Sequence, residues 1–141
     1  MKKKQKTWKE DLQGILDLDY VVIKNVPMIQ TKEGSAINYD YGLIETQVAK
    51  AILEKHVPIR GAEVKFFRKT LGLSYEKFAR ELSVASTTVM RWEQEKLERL
   101  STSNEVLIKV FMAEKLGIEL LARLSSLVSN DFTGKLELKV A

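Results

Sequence analysis

Leu71 to Glu93 reads LGLSYEKFARELSVASTTVMRWE, two short amphipathic segments meeting across a gap too small for anything but a tight turn. Ser74 is placed to cap a first helix, whose apolar residues Phe78, Ala79 and Leu82 recur at the spacing of one helical face. Val89 and Trp92 form the stripe of a second helix. Only Ser83, Val84 and Ala85 lie between the two, so the sequence predicts a helix-turn-helix with Val84 plugging the angle. The second helix opens with Ser86, Thr87 and Thr88 and carries Arg91 a turn later. Small polar residues followed by an arginine suit insertion into a DNA major groove.

Composition narrows the alternatives. The 141 residues include no cysteine, so disulfides, thiolate nucleophiles and thiolate zinc sites are excluded. His56 is the only histidine, which removes the usual catalytic and His-rich metal clusters. An enzyme is not expected, nor is any cofactor or metal. No segment has the length of an apolar membrane span, and TWKEDLQG follows MKKKQK where a signal peptide needs apolar residues. The expected location is therefore cytoplasmic. The net charge is +4, and the first ten residues set Lys2, Lys3, Lys4, Lys6 and Lys9 against Glu10. This reads as a basic flexible tail over residues 1–17, with Trp8 outside the folded pattern. Within the remainder, residues 61–100 are the basic stretch.

Working outward from the motif, Arg60 to Leu71 is an expected helix with Val64, Phe67 and Leu71 inward, and Gly72 stops it. Upstream, Asp19 to Gln30 is rich in Val, Ile and Tyr, and Pro27 is expected to divide it into two strand-like pieces. Lys32 to Ser35 supply a turn, and Ala36 to Tyr39 a returning strand. Asp40 caps a helix over Tyr41 to Lys55 with Ile44, Val48, Ala51 and Ile52 on one face. His56 to Ile59 is the expected linker. Downstream, Gln94 to Ser103 reads as a loop, and Ser103 or Asn104 as the cap of an apolar helix running to Lys115. A second apolar helix is expected over Ile118 to Val128. Lys135 to Val140 alternates strictly and predicts a strand in need of a partner edge.

Residues 60–93, RGAEVKFFRKTLGLSYEKFARELSVASTTVMRWE, resemble the helix-turn-helix domain of the XRE (Cro-like repressor) type. With DLDYVVIKNVP and LIETQVAKAIL upstream, residues 18–116 are similar to the MqsA (YgiT-type) antitoxins, in which a zinc-binding module precedes the DNA-binding domain. The resemblance implies base reading by Ser86, Thr87 and Arg91, with Thr88 and Met90 near the groove. It also implies phosphate contacts by Lys65, Lys69 and Lys77, with Tyr75 standing where the family has a phosphate-touching glutamine. Arg68 and Glu93 match a pair that is structural in this domain type. The chain departs from the pattern by having MIQTKEGSAINY (residues 28–39) and no cysteines where the family binds zinc. Ser83, Ala85 and Glu95 also replace a turn glycine, a capping serine or threonine, and a glycine.

The expected fold class is mainly α with a small β region. It comprises an N-terminal α+β module over 18–57 lacking zinc ligands, a helix-turn-helix domain over 58–116, and a C-terminal helix and strand over 117–141. The expected function is a sequence-specific DNA-binding repressor, the antitoxin of a toxin–antitoxin pair that autoregulates its operon. The implied partners are double-stranded DNA with an inverted-repeat operator, a toxin held by the N-terminal module, and a second copy in a homodimer. Two alternatives stay open: an adaptor or neutraliser whose helix-turn-helix does not read DNA, and a stand-alone regulator without a toxin.

Overall fold

A computed structural model describes residues 5–119 and 134–140. Among them the fold is mixed α and β, with a four-stranded sheet and five helices. The strands are β1 (Thr7–Gln13), β2 (Val21–Thr31), β3 (Gly34–Ile37) and β4 (Leu136–Lys139). The helices are α1 (Tyr41–Glu54), α2 (Gly61–Thr70), α3 (Tyr75–Leu82), α4 (Ser86–Gln94) and α5 (Thr102–Leu116).

β2 is the spine of the sheet. β1 runs antiparallel along one side of it, while β3 (antiparallel) and β4 (parallel) share the other. The strand expected to be split by Pro27 is continuous, and the register explains why. β4 reaches β2 only as far as Lys24, and β3 takes over at Met28. The Pro27 carbonyl accepts from Asn38 N–H at 2.8 Å on the β3 side. The proline nitrogen faces the same way, at the last pair of the β2–β3 ladder, where one missing donor leaves the other pairs intact. Opposite β1, Lys24 and Asn25 together face Asp11, a bulge made possible by Asn25 at φ +56°. Asp11 fastens it by accepting from Asn25 N at 3.0 Å and Lys24 Nζ at 3.4 Å.

One expectation is corrected near the N-terminus and one is met near the C-terminus. Within the flexible tail assigned to residues 1–17, Thr7–Gln13 form β1, whose backbone groups pair with β2, and Trp8 is half-buried against the core. The C-terminal strand finds its edge on β2: Val21 to Lys24 pair with Leu136 to Lys139. The helix expected over Ile118 to Val128 falls mostly outside the described residues.

Caps and apolar faces account for the helices. Asp40 accepts from Gly42 N and Leu43 N at the start of α1, and Ser74 accepts from Lys77 N at the start of α3. α5 begins earlier than expected: its cap is Ser101, accepting from Asn104 N at 3.4 Å, rather than Ser103 or Asn104. One contiguous cluster of buried side chains runs from Leu18 and Ile23 in the sheet through Ile44 and Ile52 to Phe67, Phe78 and Met112. It crosses the boundary expected near residue 57 without interruption.

Two buried carboxylates hold the chain together, and the first of them reaches across that boundary. Glu63 is bound by Arg60 through two guanidinium nitrogens at 2.9 and 2.8 Å and accepts from the Tyr20 hydroxyl at 3.3 Å. Burial raises the Tyr20 phenol well above its ordinary range, so it stays a neutral donor. Glu105 accepts from Ile59 N at 2.7 Å and from Arg99 at 3.2 and 3.1 Å. The Lys109 ammonium stands 4.0 Å from it, lowered in pKa by burial although Glu105 opposes the shift. Buried charges need partners of this kind, because each left alone costs several kcal/mol, of order 3–5.

Candidate nucleic-acid interface

α3 and α4 are held at a sharp angle by three residues. Ser83 ends α3 in the left-handed region (φ +59°, ψ 40°), and Val84 N–H donates back to Ala79 O at 3.0 Å. Val84 is half-buried and packs on the core, filling the corner. Ala85 then adopts the extended geometry of an N-cap (φ −73°, ψ 146°) but has no side-chain oxygen for the first amides of α4.

α4 divides into two faces. Val89 and Trp92 are buried, whereas Thr87, Met90, Arg91 and Gln94 are exposed, with Ser86 and Thr88 half-buried at the start. The first turn has no acidic residue. Lys77, on the first turn of α3, is also exposed.

The inner face is anchored through α2. Arg68 donates from Nε and Nη2 to the two Glu93 oxygens at 2.7 and 2.9 Å, and from Nη1 to Leu73 O at 3.1 Å. Its guanidinium lies 4.1 Å from the centre of the Tyr75 ring. One planar cation therefore ties α2 to α4 and to the entry of α3, and hydrogen bonding to Glu93 raises the Arg68 pKa further. Tyr75, implied as a phosphate contact, has its ring face occupied by this arginine.

Gly61 sets the distance between the same helices. A Cβ there would collide with the Trp92 carbonyl oxygen and stand 2.7 Å from that of Glu95. Gly61 N and Ala62 N donate to Glu98 O and Lys96 O at 3.2 and 2.9 Å, so the segment after α4 closes the start of α2. Phe66, Phe67 and Trp92 are buried and serve packing.

Lys65 and Lys69 are exposed on α2 but also line a cavity of about 400 Å³, together with Glu93 and with Asp17, Tyr41 and Glu45 from the N-terminal part. Thr87, Met90, Arg91 and Lys77 are not among its lining residues. The structure thus gathers the implied base-reading residues on α4 and sets two of the implied phosphate-contacting lysines beside a separate concavity. Neither that cavity nor the burial of Glu63 and Glu105 follows from helical periodicity. The available signal is an acid flanked by apolar residues on an inward face, as in Ala62-Glu63-Val64.

Where the resembled family clamps zinc, residues 28–39 form a hydrogen-bonded hairpin. Thr31 Oγ1 accepts from Glu33 N at 3.2 Å and donates to Gly34 O at 2.8 Å. No residue of this hairpin is a cysteine or histidine, so a zinc ion of that type does not fit here. Among the described residues no helix is long and apolar enough to cross a membrane. Comparison of the chain with protein-family models, curated proteins and solved structures returned no match.

Proposed function

We propose that this chain is a sequence-specific, double-stranded-DNA-binding transcriptional repressor in which α3 and α4 form a helix-turn-helix of the XRE type. The observation that carries the reading is the outward face of α4: Thr87, Met90 and Arg91 exposed, no acid in the first turn, and the opposite face locked by Trp92 and the Arg68–Glu93 pair. A rigid helix with a small polar N-terminus and a forked donor one turn on matches what the major groove requires. Arg91 suits the guanine edge, Met90 a thymine methyl, and Thr87 either base. Lys77 serves phosphate. Two copies would set two reading helices about one DNA turn apart, on an operator of two inverted half-sites. Within this reading the chain acts as an antitoxin, with its N-terminal sheet as the toxin-binding surface.

A second reading has one observation in its favour. Ala85 leaves the first amides of α4 without a side-chain cap, as expected of an adaptor that has no phosphate to grip.

Fluorescence anisotropy on the DNA upstream of the chain's own gene, at several salt concentrations, separates the two. Arg91→Ala should cost about 1–3 kcal/mol at one base pair per half-site, while Lys77→Ala should weaken all sequences alike and reduce the salt slope by about one. A wild-type protein with no salt-dependent preference for any DNA sinks the repressor reading.

A further inference from the structure

Segments distant in sequence wall the cavity beside α2. Ile15 and Leu16, from the loop after β1, join Ala62 and Phe66 of α2 to give it apolar surface. Lys65 and Lys69 stand four residues apart on α2 and so share a face, and Lys96 adds a third ammonium group from the segment after α4. None of these three lysines has an ion-pair partner among the described residues. Of the three carboxylates on the wall, Glu93 is already taken by both donors of Arg68, which leaves Asp17 and Glu45. One further negative charge brings the wall to neutrality. The volume falls within the range of small-molecule sites, about 300–1,000 Å³, and the wall sets an apolar patch of Ile15, Leu16, Ala62 and Phe66 beside a charged half, which suits a ligand that is itself half apolar and half charged.

We propose that this cavity is an effector site for a small organic monoanion with an apolar body, its carboxylate held by Lys65 and Lys69 and its body laid on Ile15, Leu16 and Phe66. The Tyr41 hydroxyl, donating to Ile15 O at 3.4 Å, ties the loop to α1 and keeps the mouth in place. An occupant meets Glu93, the α4 residue through which Arg68 fixes the reading helix. Through that anchor it disturbs the setting of α4, so the occupied protein binds DNA more weakly. That consequence, unlike the site itself, rests on the DNA-binding reading.

The test is calorimetric titration of the full chain, without DNA, with naphthoate and with octanoate, and with the corresponding alcohols as uncharged counterparts. The expected result is saturable one-to-one binding of at least one acid, with its alcohol about tenfold weaker or worse. The Lys65→Gln/Lys69→Gln double variant should lose about tenfold in affinity for the acid, while Lys77→Gln keeps it. Leu16→Trp, which fills the cavity from a half-buried loop position, should abolish binding while circular dichroism shows the chain folded. The site is overturned by no saturable binding of either acid, by equal binding of acid and alcohol, or by an unaffected double variant. Adding the bound acid to the protein–DNA complex should weaken DNA binding about tenfold, and unchanged DNA affinity refutes the regulatory consequence. Failure of the unliganded chain to bind DNA refutes the DNA reading alone and leaves the calorimetric result standing.

Discussion

Gly61→Ala isolates the contact that sets α4 against α2. Gly61 opens α2 with its α-carbon against the carbonyl groups that end α4. The added methyl would lie 2.7 Å from Glu95 O and closer still to Trp92 O, where carbon and oxygen ordinarily keep about 3.3–3.6 Å. Both obstacles are backbone, so no side chain can swing away, and the helices must part. Parting them stretches the Gly61 N to Glu98 O and Ala62 N to Lys96 O hydrogen bonds. Overpacking of a tight contact costs about 1–3 kcal/mol, and each weakened hydrogen bond up to about 1 kcal/mol. Against this stands the helix preference of alanine over glycine, up to about 1 kcal/mol in the stabilising direction. The expected net loss is about 3 kcal/mol. Urea denaturation followed by circular dichroism and tryptophan fluorescence measures it. The sign discriminates: propensity alone makes the variant more stable, so a stability equal to or above that of wild-type refutes the close approach of α2 and α4.

Glu105→Gln removes the charge that Arg99 and Lys109 face inside the protein and should cost about 3–5 kcal/mol, read as a drop in the urea midpoint. A loss below about 1 kcal/mol would show that the cluster around Ile59 is not held by charge. Ala85→Ser supplies the missing cap of α4 and should add about 1 kcal/mol. Ser83→Gly, at φ +59°, should add up to about 1 kcal/mol by relieving a left-handed serine. If both turn substitutions destabilise, the turn does not have the geometry described.

The helices were legible because their signals are local. Asp40 and Ser74 cap where sequence places them, and the three- and four-residue spacing of Phe78, Ala79 and Leu82, then Val89 and Trp92, decides which residues of α4 turn outward. β1 was not legible. Thr7 to Gln13 places Lys9, Glu10 and Asp11 in a row on an edge strand, so no two-residue alternation appears, and its order comes from pairing with β2. Pro27 misled for a related reason: whether a proline interrupts a strand depends on where it falls in the ladder, and its place at the last pair beside β3 is a tertiary fact. Within the candidate site, Arg68 and Glu93 were paired in advance only through a resemblance. The cavity, assembled from Leu16, Tyr41 and Lys65, depends on packing that no single window of sequence contains.

The parallel pairing of β4 with β2 has a consequence for how the protein is made. Val21 to Lys24 leave the ribosome long before their partners, Leu136 to Lys139, which stand at the far end of the described residues. Until then one half of the central strand presents bare amides and carbonyls flanked by Val21, Val22 and Ile23, a strand edge ready to pair with any other chain. Nascent or shortened forms therefore carry an aggregation-prone edge that the finished fold covers, and the chain's last described strand acts as its lid.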